Sequence, residues 1–227
     1  MSQQQSTVNS RFVYDNALKI CAQYKIDPVA AKLTQSDIIL EQALSTGLTQ
    51  YVFPVLTNDN GPSGTRFPTE IRLQLQDSFI ASSWGAFLLE PTGSANDCTF
   101  IAQTYPNPQV FVGVGEAKAL ETIYNSYCKI TVNNDVILPV WSLSRHRYVP
   151  ETQQEPLIAG VENAIPYSEI DLSQDGFMPV EPNIIFVGSK GYQIQVILPA
   201  AMAVLGAFTR LRLHYRGINA QNTTIIT

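Results

Sequence analysis

Asn183–Ala200 (NIIFVGSKGYQIQVILPA) and Thr209–Ala220 (TRLRLHYRGINA) decide how this chain reads. In the first, Ile184–Val187 is short and apolar, and Gly188-Ser189-Lys190-Gly191 is a loop of hairpin length with a glycine at each end. Glycine reaches positive φ without steric cost, so the loop predicts a tight reversal. Beyond it Tyr192, Ile194, Val196 and Leu198 fall on one side of a strand, with Gln193 and Gln195 on the other. In the second stretch Leu211, Leu213 and Tyr215 alternate with Arg210, Arg212, His214 and Arg216. A period of two is the mark of half-buried antiparallel strands. The expectation is three strands, with Leu211, Leu213 and Tyr215 facing the core.

Working outward, the same reading recurs. Lys129–Val132 and Val136–Val140 flank Asn133-Asn134-Asp135, residue types that tolerate left-handed backbone, so a hairpin is expected. Just before it, Glu116–Tyr127 predicts one short helix. After it, Trp141–Val149 reads as a strand continuation packed by Leu143 and Tyr148. Glu70–Gln76 alternates, with Ile71, Leu73 and Leu75 expected inward. Phe79–Leu89 is a long apolar stretch in which Ser82, Ser83 and Gly85 predict a bend or bulge. Tyr51–Leu56, Thr99–Gln103 and Val110–Val114 are further expected strands, the first broken by Pro54.

The first fifty residues differ. Arg11–Tyr24 could form a short helix, and Asp27-Pro28 is a helix-start signal. In LTQSDIILEQALSTGL, Ser36 or Asp37 can cap, Ile38, Ile39, Leu40, Ala43 and Leu44 recur as a helical stripe, and Gly47 can end it. Residues 1–50 are therefore expected to be a partly helical N-terminal arm, packed on its own domain or reaching a neighbouring copy. Residues 51–227 are expected to form the β domain, with a long proline-punctuated segment at 150–183. Eight to ten short strands with turns rich in Gly, Pro and Asn, and no βα alternation, predict a mainly β fold. The expected architecture is an antiparallel β-sandwich of jelly-roll-like topology with an N-terminal helical arm and one short internal helix.

Composition narrows function. Of 227 residues, 45% are hydrophobic and only 15% charged, so the polar surface rests on amides and hydroxyls. Such a surface suits association, because little charge must be desolvated when copies meet. Net charge is −5 and the 14 Lys and Arg form no block, which argues against a phosphate-tracking nucleic-acid groove. Arg145-His146-Arg147 reads as an exposed loop. Cys21, Cys98 and Cys128 are odd in number and lack CxxC spacing, so buried thiols are expected. Met1–Ser10 has no signal-peptide character. No apolar run reaches the ~18 residues of a spanning helix. Leu198–Phe208, the most apolar run, reads as a buried connection or an oligomer contact.

No assembled catalytic set is legible. There are only two histidines, no HxH or HxxxE metal spacing, no GxSxG, and a lone Gly113-Val114-Gly115 without βαβ context. No cofactor, metal or catalytic residue is assigned, and the chain is read as a non-enzyme. Glu151, Glu155, Glu162, Glu169, Asp171 and Asp175 leave a glycan-cleaving carboxylate pair as a third reading. A carbohydrate-binding or adhesion module is the second, and it predicts exposed aromatic side chains beside amides.

The layout also resembles a known group. SDIILEQALSTGLTQYVFPVL is followed by TEIRLQLQDSF, TYPNPQVF, IYNSYCKITVNNDVILPV, VPETQ and a closing LRLHYRG. Over most of the chain this resembles structural proteins of tailless or otherwise unusual bacterial viruses with β-sandwich capsid subunits. The resemblance implies a shell-forming, non-enzymatic subunit, located in the virion and partnered by its own copies, with other virion proteins as further candidates, without sequence-specific nucleic-acid binding. The length fits one sandwich and falls short of a double jelly roll. Arg210, Arg212, His214 and Arg216, four basic groups on one face of a charge-poor chain, are the candidate inter-subunit contacts, toward an acidic neighbour.

Overall fold

A computed structural model describes residues 15, 18–19, 21–23, 26–27, 31–55, 73, 75–90, 102–149 and 176–221. Among the described residues, strands and a helix follow in chain order: β1 (Lys32–Ala43), β2 (Gln50–Pro54), β3 (Ser78–Leu89), α1 (Glu116–Tyr124), β4 (Tyr127–Val132), β5 (Asp135–Ser142), β6 (Phe177–Val187), β7 (Tyr192–Ile197) and β8 (Arg210–Gln221). They form two four-stranded antiparallel sheets, ordered β1-β8-β3-β6 and β2-β7-β4-β5. The first strand pairs with the last, the second with the seventh, the third with the sixth, and the fourth with the fifth. The chain is thus folded back on itself about the β4–β5 hairpin. The fold is mainly β and sandwich-like, as expected.

The hairpin turns as its residues predict. Asn133 and Asn134 take φ of 46° and 78°, the left-handed pair that matches strand twist in a two-residue turn. β8 and β7 follow their period. Leu211, Leu213 and Tyr215 are wholly buried, as are Ile194 and Val196, and they meet Ile38, Leu40, Phe53, Trp84 and Phe186 in one core between the sheets. α1 closes one side through Leu120, Ile123 and Tyr124. The register of β3 shifts between Ala81 and Ser83 against both neighbours, the bulge that the Ser82-Ser83 pair predicted.

Several expectations are corrected. The helical stripe at Ile38–Leu44 is instead the strand β1, paired with β8 along its length. Ile38 and Leu40 enter the core while Ile39 lies opposite His214 on the other face. A run of adjacent apolar residues satisfies either geometry, and tertiary pairing decides it. The Gly188–Gly191 loop does not join a hairpin, because β6 lies in one sheet and β7 in the other, and neither glycine adopts positive φ. Val110–Val114 is loop, with Phe111 buried and Val112 and Val114 exposed. Leu73 is buried, but Leu75 sits exposed in a turn rather than facing inward. Trp141 and Ser142 end β5, and a short 3₁₀ turn (Leu143–His146) follows. Leu143 packs in the core, whereas Tyr148 is largely exposed. Phe177–Asn183, the end of the expected proline-punctuated segment, belongs to β6; residues 150–175 lie outside the described residues, as do Glu70–Arg72, Cys98 and the expected strand at 99–101.

Residues 15, 18–19 and 21–23 are helical. Cys21, Ile26 and Ala31 form a second apolar cluster with Ile80 on the outer face of the β1-β8-β3-β6 sheet, beside Leu33 and Ile185. The described N-terminal residues thus pack on their own sheet. Leu198 and Met202 are buried while Ala201, Ala203 and Val204 are exposed, so the apolar connection to β8 is only partly a core element.

Gly217 lies on β8 opposite Ala81, beside the bulge. A Cβ there would run into the Ile80 carbonyl oxygen and come within 3.0 Å of Ala81 Cα, both backbone atoms that cannot turn aside. Gly217→Ala should therefore lower stability by about 1–3 kcal/mol, the usual cost of overpacking. Urea unfolding reads this as a lower midpoint at unchanged slope; an unchanged midpoint would contradict the register of β3 on β8.

Candidate functional site

The four basic residues singled out in β8 do share one face, opposite the core. Their acidic partners are in the same chain, on β1. Arg212 Nε donates to Glu41 Oε1 at 2.7 Å, and its Nη2 lies 2.5 Å from the same oxygen. Arg210 Nη1 lies 3.8 Å from Glu41 Oε2, and both side chains are 3% exposed. His214 Nε2 stands 3.5 Å from Asp37 Oδ1. That neighbour, with Arg216 behind it, holds the Asp37 carboxyl below its ordinary range. Arg216 lies over the Phe177 ring at 3.7 Å, a cation–π contact. Gly85, the cross-strand neighbour of His214 on β3, has no side chain, and His214 meets Phe177 edge-on at 5.0 Å. The register explains the seam: Glu41 is opposite Arg212 and Asp37 opposite Arg216. Opposite charges directly across an antiparallel pair attract, and a carboxylate between two guanidiniums compensates their burial. Glu41 and Asp37 thus give the basic row acidic neighbours within the chain itself.

Arg145-His146-Arg147 is not simply an exposed loop. Arg145 and Arg147 are exposed, but His146 is wholly buried. Trp141 Nε1–H donates to His146 Nε2 at 2.9 Å, so that nitrogen carries no proton. The proton sits on Nδ1, which donates to the Gly176 carbonyl at 3.1 Å. The ring also lies 4.3 Å from Trp84, which stacks on Tyr215 at 5.3 Å and touches Trp141 at 5.7 Å. This aromatic group spans the sandwich, with Trp84 and Tyr215 from one sheet and Trp141 from the other. Burial pushes the His146 pKa down to about 4. The sequence carried one usable signal for it, a histidine five residues from a tryptophan; its other partner is thirty residues away across a different strand.

A carboxylate pair also forms, at residues the sequence reading had not singled out. Thr209 Oγ1 lies 2.6 Å from Glu90 Oε2 and 2.8 Å from Glu116 Oε1. One hydroxyl proton cannot serve both contacts. Burial pushes the Glu90 pKa up, and the nearby Glu116 charge pushes it the same way. Glu116, at the start of α1, is buried and accepts backbone N–H bonds from Gly206 (2.5 Å) and Gly113 (3.2 Å). Its oxygens are thereby occupied in bracing the connection before β8 onto the helix. The acidic residues weighed for glycan cleavage, Glu151 through Asp175, lie outside the described residues.

The remaining chemistry is quiet. Cys21 and Cys128 are buried free thiols, and burial pushes Cys128 up to about 12, so it carries little thiolate at neutral pH. Trp84, Tyr124 and Tyr215 are core residues; among the described residues Tyr127 and Tyr148 are the exposed large aromatics. Among the described residues no group of three or more His, Cys, Asp or Glu side chains is placed to hold a metal ion, and no helix is long and apolar enough to cross a membrane.

Compared with protein-family models, curated proteins and solved structures, the chain matches none.

His146 yields a pH prediction. Its folded pKa of about 4 lies below the ordinary 6.5, so the unfolded chain binds the proton more readily between those values. Stability is then fully present above pH 6.5 and falls as pH drops toward 4, by about 3 kcal/mol from this residue. His146→Phe keeps a buried ring, strands the Trp141 N–H, and should lower stability at pH 7.5 while flattening the slope between pH 6.5 and 4. Urea midpoints across that range check it; an unaltered slope in the variant would contradict the assignment.

Proposed function

We propose that this chain is a jelly-roll capsid subunit of a bacterial virus, a non-enzymatic structural protein that assembles symmetrically with its own copies. The observation that carries the reading is the nested strand pairing. Orders of β1-β8-β3-β6 and β2-β7-β4-β5, with the chain folded about its fourth and fifth strands, are what eight strands give when wrapped as two Greek keys. That architecture serves viral shells, and also lectins and cupins. Three further features favour the shell. The charge content of 15% leaves a surface that is inexpensive to desolvate. The described aromatic side chains mostly build the core rather than a stacking platform. Aliphatic side chains stay open along a sheet edge, at Val136, Ile137 and Val140. The layout resemblance set out above points the same way.

The mechanism is burial of apolar and amide-rich surface between copies related by symmetry. The basic seam on β8 serves this indirectly: by joining β1 to the sheet it holds the subunit rigid, while Arg212, His214 and Arg216 stay partly exposed on its outer face. Size-exclusion chromatography with light scattering, followed by electron microscopy, tests the reading. Discrete closed assemblies are expected from the purified chain at high concentration. A strict monomer that binds a glycan array, and loses that binding on a single aromatic-to-alanine change, would overturn it in favour of a sugar-binding module.

A further inference from the structure

We infer that β5 is the docking edge for a second copy of this chain, through antiparallel pairing of β5 with β5 across a two-fold axis. The inference rests on the self-assembly reading above and names the surface that carries it. β5 is the last strand of its sheet, bonded to β4 on one side and, among the described residues, to no strand on the other. Such an edge presents a row of backbone donors and acceptors able to template another strand. Val136 and Ile137 are each 47% exposed and Val140 is 65% exposed. Adjacent residues of a strand point to opposite faces, so the first half of β5 is apolar and open on both sides.

The other three edges are guarded. β1 carries the exposed Lys32 and Asp37; β6 carries Pro179, Glu181 and Pro182; β2 is five residues long and ends at Pro54. Charge, proline and shortness are the usual means of blunting an edge. β5 has one charge, Asp135, and one proline, Pro139, in eight residues.

Charge complementarity argues for a second copy as the occupant. Asp135 opens the strand, and Arg145 lies just beyond its end, steadied 4.9 Å above the Trp141 ring. A two-fold axis between Leu138 and Pro139 sets Ile137 opposite Val140, Val136 opposite Trp141, and Asp135 opposite Ser142. Each acid then comes to the basic end of the partner strand, twice over, as an isologous interface requires. Pro139, which lacks an N–H, falls at the axis, where it divides the new ladder into two short halves and limits it to one partner.

Three measurements on the full chain test this. Ile137→Lys with Val140→Lys alters only exposed positions; the double variant should melt like the wild type by circular dichroism and need at least ~10-fold higher concentration to assemble. A chain bearing Ile137→Cys mixed with one bearing Val140→Cys should form an intermolecular disulfide on mild oxidation, which decides the matter even if the lysine variant folds poorly. The β5 amides that point away from β4 should exchange rapidly in the dissociated chain. Wild-type-like assembly by a folded lysine variant, or no cross-link within wild-type-like particles, overturns the β5 edge and leaves self-assembly standing. Slow exchange of those outward amides in the dissociated chain also overturns it, since the chain's own residues would then cover the edge. A wild type that never assembles overturns both.

Discussion

The fold depends on seating a strand with four basic residues in the interior of a sheet. β8 is flanked by β1 on one side and β3 on the other, so its backbone is fully committed. Its inner face supplies Leu211, Leu213 and Tyr215 to the core. Fully burying large apolar side chains of this kind contributes about 1.5–3 kcal/mol each. Its outer face would be untenable without compensation, because an isolated buried charge costs several kcal/mol. Glu41, itself 3% exposed and placed between Arg210 and Arg212, supplies it. The charges therefore fix where β1 lies more than they add stability, since a well-packed apolar substitute is often at least as stable as a buried ion pair.

From that seam the rest follows in layers. β1 in place closes the first sheet, and its Ile38 and Leu40 help to bury β8. β3, on the other side, brings Trp84 into a stack with Tyr215. Trp84 reaches the second sheet through Trp141, and His146 ties Trp141 to the backbone at Gly176, one residue before β6. A buried neutral histidine thus coordinates three parts of the chain far apart in sequence. Glu116 does similar work at the other side, joining the start of α1 to the connection that leads into β8. Among the described residues, His146 and Glu116 thus hold separate parts of the fold together.

What the sequence made legible was whatever a local pattern could determine. The alternation in β7 and β8, the Asn-Asn hairpin, the serine bulge in β3 and the short helix α1 all depend on neighbours within a few residues. What it hid depended on partners far away. Ile38-Ile39-Leu40 fits a helix or a strand equally, and only β8 chooses. Had Asp37, Ile39 and Glu41 been read at a period of two, they would have matched the Arg row and revealed both the strand and the seam. Gly188–Gly191 has the length of a hairpin loop, yet the chain uses it to cross between sheets, a choice set by which strand each side already pairs. His146 looked solvated because Arg145 and Arg147 flank it, while the partners that bury it lie in other elements. The closing basic row was recognised as one face; what changed is that the acid it seeks is mostly its own.

Hydrogen exchange read by mass spectrometry, peptide by peptide in the intact chain, tests the central claim that β1 and β8 form one cooperative unit. Amides of Lys32–Ala43 paired to β8 should exchange as slowly as those of Leu211–Ala220, only through global unfolding. Rapid exchange across Lys32–Ala43 with β8 still protected would contradict it. The first forty-odd residues would then be a detachable arm rather than a wall of the sandwich.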